Sequence, residues 1–484
     1  MKNLKPILKI VSVTFLTLLF TACGSSNSGT AKDAISAFIG QNENIIAFGS
    51  ADIESVLSKS DYKNVPKLGK LLSTEFSTLE KVIDFNFPIY YAIEGPLDEN
   101  GNPEATYSFI TLKDNEKFIA ELTNRGFDVN SKDELSYSED GDFAIGIKKN
   151  IAIVVVQNKD FEVEELMLAT FKKAESDLVG GKSDEILAQT GDFVFGMNIA
   201  SLYNTSNTDL ENLDEAKKKS LKALIEDSYV QTVVKFEDGA AIIETKNYFS
   251  DALKEKMFFK SDNSAPVLKK LGKGTSRLGF ASNIDMKKLQ ALVDEYSPEA
   301  VNDLIAAMGT EAQVALMMTG TDLSKIITGE MGVVMIGDLG ENGSMIPDFN
   351  VFLGLESNGR SLGEMATDFV SQMDVAKVDK DGLKIYSSNK NASENGGIKL
   401  PAGCENFGKS GISAFINLDG VNFDDFDLEG EANVIRVIKY ITFEYNNDGG
   451  RLYIKAKEGK ENILKQAMKV MVEELESEIN DMVI

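Results

Sequence analysis

Few residues in this chain have the type and spacing to do chemistry. The clearest arrangement is Leu19-Phe20-Thr21-Ala22-Cys23-Gly24, a thiol placed directly after small residues at the end of an apolar run. Such a thiol can take a diacylglycerol, and cleavage before it frees an amine for a further acyl chain. Asp424, Asp425 and Asp427, with Glu429 and Glu431 behind them, form the densest carboxylate cluster, and oxygen-rich sites suit calcium. Their spacing is not that of an EF-hand, and a solvated acidic loop is the plainer reading. Ser60-Asp61-Tyr62-Lys63 and Ser387-Ser388-Asn389-Lys390 match Ser-x-x-Lys, but the companion Lys-Thr-Gly element is missing. Gly180-Gly181-Lys182-Ser183 lacks the earlier glycine of a phosphate loop, because Ser176 stands there. Histidine is absent, which excludes Ser-His-Asp and Cys-His catalysis and histidine-bearing zinc sites. No catalytic residue and no cofactor is expected.

The segment before Cys23 has the parts of an export signal. Lys2, Lys5 and Lys9 precede an apolar run from Ile10 to Phe20. At about 11 residues it is shorter than the roughly 20 that a membrane-crossing helix needs. Leu19 to Cys23 resembles the bacterial lipobox, with Phe20 where Leu is usual. Residues 1–22 are therefore expected to be a lipoprotein signal peptide, and 23–32 a lipidated Cys23 with a flexible tether through Gly24 to Thr30. Several acyl groups, at about 0.8 kcal/mol per buried methylene, would make the anchor effectively permanent. No acidic residue follows Cys23 closely, which by resemblance to known sorting rules favours the outer membrane.

Composition is that of a globular protein, 43% hydrophobic and 26% charged. The formal charge is -26, and loss of the three leader lysines makes it more negative still. That field opposes phosphate backbones, so nucleic acid is not expected as a partner. The expected partners are the membrane, through the anchor, and an envelope protein or a small-molecule ligand. There are two cysteines. Acylation of Cys23 leaves Cys404 alone, without a disulfide and without a basic neighbour to activate it.

The elements that must position these residues run in a repeated order. Ile45 to Ile53 and Leu278 to Asp285 are each an apolar strand that passes through an Asn/Asp-containing turn into a leucine-bearing segment. Pro88 to Ile93 matches Gly332 to Gly337, Thr106 to Ile110 matches Val351 to Leu355, and Asp192 to Ile199 matches Ser413 to Asp419. Helices follow the third pair, carrying Phe118, Ile119 and Leu122 in one copy and Leu362, Met365 and Phe369 in the other. Hairpins are expected at Glu237-Asp238-Gly239 and Asn446 to Gly450, since Asp-Gly between apolar runs supplies positive φ. A closing helix with Ile463, Leu464, Ala467, Met468, Met471, Val472 and Leu475 on one stripe is expected to cover a sheet. The fold expected is α+β: a first repeat half at 33–263 and a second at 264–484, each an antiparallel sheet with helices packed mainly on one face.

With the lipobox and repeated strand-turn-helix units in place, the chain resembles a family of Bacteroides-type lipoproteins that carry a domain-of-unknown-function label. The likeness lies in segments such as Ile45 to Leu57 and Arg277 to Leu292, and it brings no functional residues. Three readings follow: a membrane-anchored, non-enzymatic binding or scaffold protein, a histidine-free carboxylate hydrolase of envelope glycans, and a lipid or lipoprotein carrier. The hydrolase needs two carboxyls about 5 to 10 Å apart in a cleft, one with a raised pKa. The carrier needs a deep apolar cavity.

Overall fold

A computed structural model describes residues 31–481 apart from 66–67, 142, 158–160, 178–180, 206–213, 261–264, 297–321, 338–347, 362, 365–366, 368–374, 388–396, 422 and 424–429. Cys23, Asp424, Asp425, Asp427 and Glu429 lie outside the described residues, as do Leu362, Met365 and Phe369. The molecule divides into two compact units. Unit 1 draws its described residues from Met1–Asn212, Ile225–Tyr248 and Lys460–Ile484, and unit 2 from Leu213–Leu224 and Phe249–Gly459. These bounds differ from the expected halves, because the closing helix belongs to unit 1 and 213–224 to unit 2.

Unit 1 contains β1 (Ile45–Ala51), β2 (Ile89–Leu97), β3 (Pro103–Thr111), β4 (Asn130–Lys132), β5 (Leu135–Asp140), β6 (Phe143–Lys148), β7 (Ile151–Gln157), β8 (Phe193–Asn198), β9 (Tyr229–Glu237) and β10 (Ala240–Tyr248). They are antiparallel in the spatial order β4-β5-β6-β7-β3-β2-β1-β8-β9-β10. Its helices are α1 (Ala31–Gly40), α2 (Ile53–Ser60), α3 (Leu68–Leu79), α4 (Asn115–Asn124), α5 (Val163–Ala174), α6 (Lys182–Leu187) and α7 (Ile199–Thr205). Asp52 caps α2 through the Ser55 N–H, and Asp114 caps α4 by accepting from the Lys117 N–H at 3.1 Å.

Two cores lie on opposite faces of this sheet. Phe109, Ile153 and Val155 belong to one and Ile110, Ala152 and Val154 to the other, and successive strand residues point opposite ways. Ile35 and Phe38 of α1 with Met167 and Phe171 of α5 cover the first face. Phe76 and Leu79 of α3 with Phe118 and Leu122 of α4 cover the second. In unit 1 the expectation of helices mainly on one face is therefore corrected. The apolar run Ile151 to Val156 does not alternate with polar residues, which is the pattern of a strand buried on both sides.

Unit 2 contains β11 (Gly274–Asn283), β12 (Ile327–Ile336), β13 (Asp348–Leu355), β14 (Val375–Val378), β15 (Gly382–Tyr386), β16 (Ile398–Lys399), β17 (Ile412–Asn417), β18 (Ile438–Asn446) and β19 (Gly449–Ala456). The antiparallel order is β14-β15-β13-β12-β11-β17-β18-β19, with β16 parallel to the start of β11. Taken in sequence order, these strands follow the same path as β6-β7-β3-β2-β1-β8-β9-β10 of unit 1. Both expected hairpins form, with Gly239 at φ 66° in one and Gly449 at φ 137° in the other. The helices are α8 (Glu215–Ile225, its last residue in unit 1), α9 (Asp251–Lys256), α10 (Ala265–Leu268) and α11 (Met286–Tyr296). The closing helix α12 (Ile463–Asp481) packs on α2 and β9 of unit 1.

Candidate functional site

The sheet of unit 2 has two unlike faces. One is sealed: Ala281, Val334, Phe352 and Phe415 pack with Val267, Leu271, Cys404 and Phe407, each under a tenth exposed. Glycines permit that closeness. A Cβ on Gly279 would stand 2.4 Å from Phe415 and 2.8 Å from Phe407, and one on Gly332 2.5 Å from Val267.

The other face is apolar and partly open. Phe280 of β11 is 36% exposed, Met331 of β12 40% and Ile416 of β17 39%. Phe280 lies between Val333 and Ala414, Leu278 between Met335 and Ile416, and Ser282 between Met331 and Ile412. Direct cross-strand partners share a face, so these side chains form one surface. It continues to Val351 and Leu353 on β13, and to Ile441 and Phe443 on β18. Ser282 is 1% exposed, and its Oγ has no hydrogen-bond partner among the described residues. The face is thus apolar, with the buried Ser282 hydroxyl set among its side chains.

The strongest polar cluster is in unit 1. Asp192, 2% exposed, accepts from Ser55 Oγ at 2.6 Å and Lys59 Nζ at 2.5 Å through Oδ1, and from the Phe236 N–H at 2.5 Å through Oδ2. Its backbone carbonyl accepts from the Asp52 N–H at 2.6 Å, and its own N–H donates to Val234 O at 2.8 Å. Both carboxylate oxygens are engaged by fixed donors, so the group is a clamp joining α2, β8 and β9.

The other sequence candidates are placed plainly. Ser60 Oγ donates to Leu57 O, and the Lys63 ammonium sits 5.8 Å from the Tyr62 ring, so that Ser-x-x-Lys pair forms no nucleophile. Lys182 pairs with Glu185 and lies 4.5 Å from the Tyr248 ring. Cys404 is fully buried, and burial, reinforced by Glu405, pushes its thiol up to about 12. Asp379 sits in the β14–β15 turn. Burial works to raise its carboxyl, but the hydrogen bond from buried Lys384 at 2.8 Å and the Asp381 N–H hold it below the usual range. Among the described residues the carboxyls that leave their ordinary range do so downward, held there by lysine, hydroxyl and amide donors, opposite to a general acid. No group of three or more acidic or Cys residues there could hold a metal. No described helix is long and apolar enough to cross a membrane.

Sequence reasoning missed Phe280, Met331, Ile416 and Asp192. The one available signal was that β12 and β13 are apolar at both parities, which reads as doubly covered strands. No family model and no curated protein matches the sequence. Among solved structures, crystal form IV of TP0453 is 10% identical over 42% of this chain and 76% of that chain, with a TM-score of 0.26. Crystal form III is 8% identical over 75% and 94%, at 0.24, and crystal form I 9% over 45% and 78%, at 0.26. Likeness at these scores leaves the fold unassigned to any known group.

Proposed function

We propose that this protein is a membrane-anchored, non-enzymatic lipoprotein of the bacterial envelope that binds an apolar ligand or partner segment on the open sheet face of unit 2. The observation that carries the reading is the co-facial exposure of Phe280, Met331 and Ile416 on three adjacent strands. Contiguous apolar surface left open to water is costly at about 25 cal/mol per Å², and patches of this kind mark interaction sites. The anchor at Cys23 and an outer-membrane location are supported by the basic leader, the short apolar run and the lipobox-like residues. The common strand path of the units supports an origin by duplication, and the likeness to Bacteroides-type lipoproteins rests on the segments quoted above. Downward-shifted carboxyls favour binding over a carboxylate hydrolase.

The test is native mass spectrometry of the full-length protein purified from its own envelope, with Phe280→Asp and Ile416→Asp variants alongside. A retained apolar molecule or partner in the parent protein, lost in both variants while circular dichroism is unchanged, is the expected result. A parent protein that carries nothing, and that neither variant alters in binding a fluorescent apolar probe, would overturn the reading.

A further inference from the structure

We infer that the C-terminal segment from Lys460 onward is a releasable strap that fastens across the Asp192 clamp of unit 1 and locks it. The inference is independent of the apolar face of unit 2. It starts from sequence order: β19 ends at Ala456 in unit 2, and after Gly459 the polypeptide belongs to unit 1. The last residues therefore complete a unit whose other parts are made by residue 248.

The fastening is polar and reaches both walls of the clamp. On the β9 side, the Gly239 N–H donates to Glu461 O at 2.8 Å, and Asn462 Nδ2 donates to Phe236 O at 3.1 Å. Phe236 is also the residue whose N–H binds Asp192 Oδ2. On the α2 side, Lys465 Nζ lies 2.9 Å from Asp61 Oδ2. Asp61 closes α2 in the left-handed region at φ 55°, and α2 supplies Ser55 and Lys59 to Asp192. Glu461 ties the strap to itself through Lys465 at 3.3 Å and Lys469 at 2.7 Å. The strap thus holds the same residue of β9 and the same helix that the buried carboxylate holds. Beneath these bonds Ile463 and Val472 are buried.

The strength of that fastening makes it releasable. The side chains of Asp61, Glu461 and Lys465 are 27 to 34% exposed, so each pair is partly screened by water. Exposed pairs contribute about 0.2 to 1 kcal/mol each and weaken with salt. Losing the strap would take Asn462 from the Phe236 carbonyl and Lys465 from Asp61, leaving Asp61 with Asn64, and admit water toward Asp192.

The test uses the full-length protein with a protease-recognition site inserted after Gly459, cleaved after folding. The freed C-terminal peptide is expected to stay bound at about 0.05 M salt and to leave about tenfold faster at about 0.5 M. On its departure Ile53–Ser60 and Tyr229–Glu237 should lose hydrogen-exchange protection. Lys465→Glu should quicken release about tenfold at low salt, and Asp61→Asn with Lys465→Gln should be non-additive. Because the insertion could itself disturb folding, exchange at the same segments is also read in the uncut parent protein, where protection should fall with salt. A peptide that leaves at once without affecting α2 or β9 would mark an appendage. One that stays through high salt and Lys465→Glu would mark a permanent core element. Either outcome overturns the proposal.

Discussion

The sheets of the two units follow one strand path and end in opposite states. In unit 1, helices close both faces around Phe109 on one side and Ile110 on the other. In unit 2 a single face is sealed around Phe352 and Phe415, while Phe280, Met331 and Ile416 keep over a third of their surface in water on the other. Strand order alone does not decide whether a sheet becomes a filled body or an exposed platform. The closing elements decide it, and in unit 1 they are α1 and α5 on one side and α3 and α4 on the other.

The largest effect that could break this contrast is on stability. Phe109→Ala removes a fully buried ring and should cost about 3 to 5 kcal/mol, as large-to-small core changes do. Phe280→Ala, at a position already 36% exposed, should cost under about 1 kcal/mol. Urea unfolding followed by circular dichroism measures both. Equal losses would mean that Phe280 is a core residue and the open face is closed.

Asp192→Ala comes next. It strands the Phe236 N–H, Ser55 and Lys59, and breaking a buried pair is severe when the remaining charge cannot reach water. Lys59 is 32% exposed, so the expected loss is about 2 to 3 kcal/mol, below the roughly 3 to 5 kcal/mol of a fully buried pair. Lys384→Ala in unit 2 makes the opposite break. There it takes the ammonium from Asp379, which is 19% exposed and keeps the Asp381 N–H, and should cost no more than that. If Asp192→Ala were neutral, the clamp would be ornamental and the strap would have nothing to lock.

Smaller again is a pH effect at the strap of unit 1. The Lys465 hydrogen bond, joined by Asn64, draws the Asp61 carboxyl below 3.8, and the Lys469 hydrogen bond draws that of Glu461 below 4.5. Depressed carboxyls contribute stability that is present above their unfolded values and lost as pH falls through the folded ones. Protection of α2 and α12 should therefore hold from neutral pH to about 5 and decline below about 4. Hydrogen exchange over that range checks it, and protection that rises on acidification would contradict the ion-pair fastening.

What could be read from the sequence was local. The turns at Asp238-Gly239 and before Gly449 follow from backbone chemistry within a few residues, and the capped helices after β1 and β3 announce themselves at Asp52 and Asp114. What could not be read depends on distance. Lys59 meets Asp192 across 133 residues, and α12, expected to cover a sheet, packs on α2 as well as on strand β9 from the far end of the sequence. The open face was hidden for a different reason. Met331, Val333 and Met335 are as apolar as the residues between them, so hydropathy marks both faces of β12 as core.

The smallest change sharpens the comparison most. Ser282 lies on the open face, yet its Oγ is buried and has no partner among the described residues. An unsatisfied buried hydroxyl costs on the order of 1 kcal/mol or more, so Ser282→Ala should leave unit 2 unchanged or stabilise it by up to about 1 kcal/mol. No comparable gain is expected from Ser50→Ala on β1, where unit 1 is closed over both faces. If the hydroxyl serves a ligand seated beside Phe280, the same Ser282→Ala variant should also bind that ligand more weakly. Stability and affinity would then move in opposite directions, as they do where a protein keeps a local fault for function. A loss of stability would instead reveal a partner for Ser282, and the two sheets would differ less than their exposed residues imply.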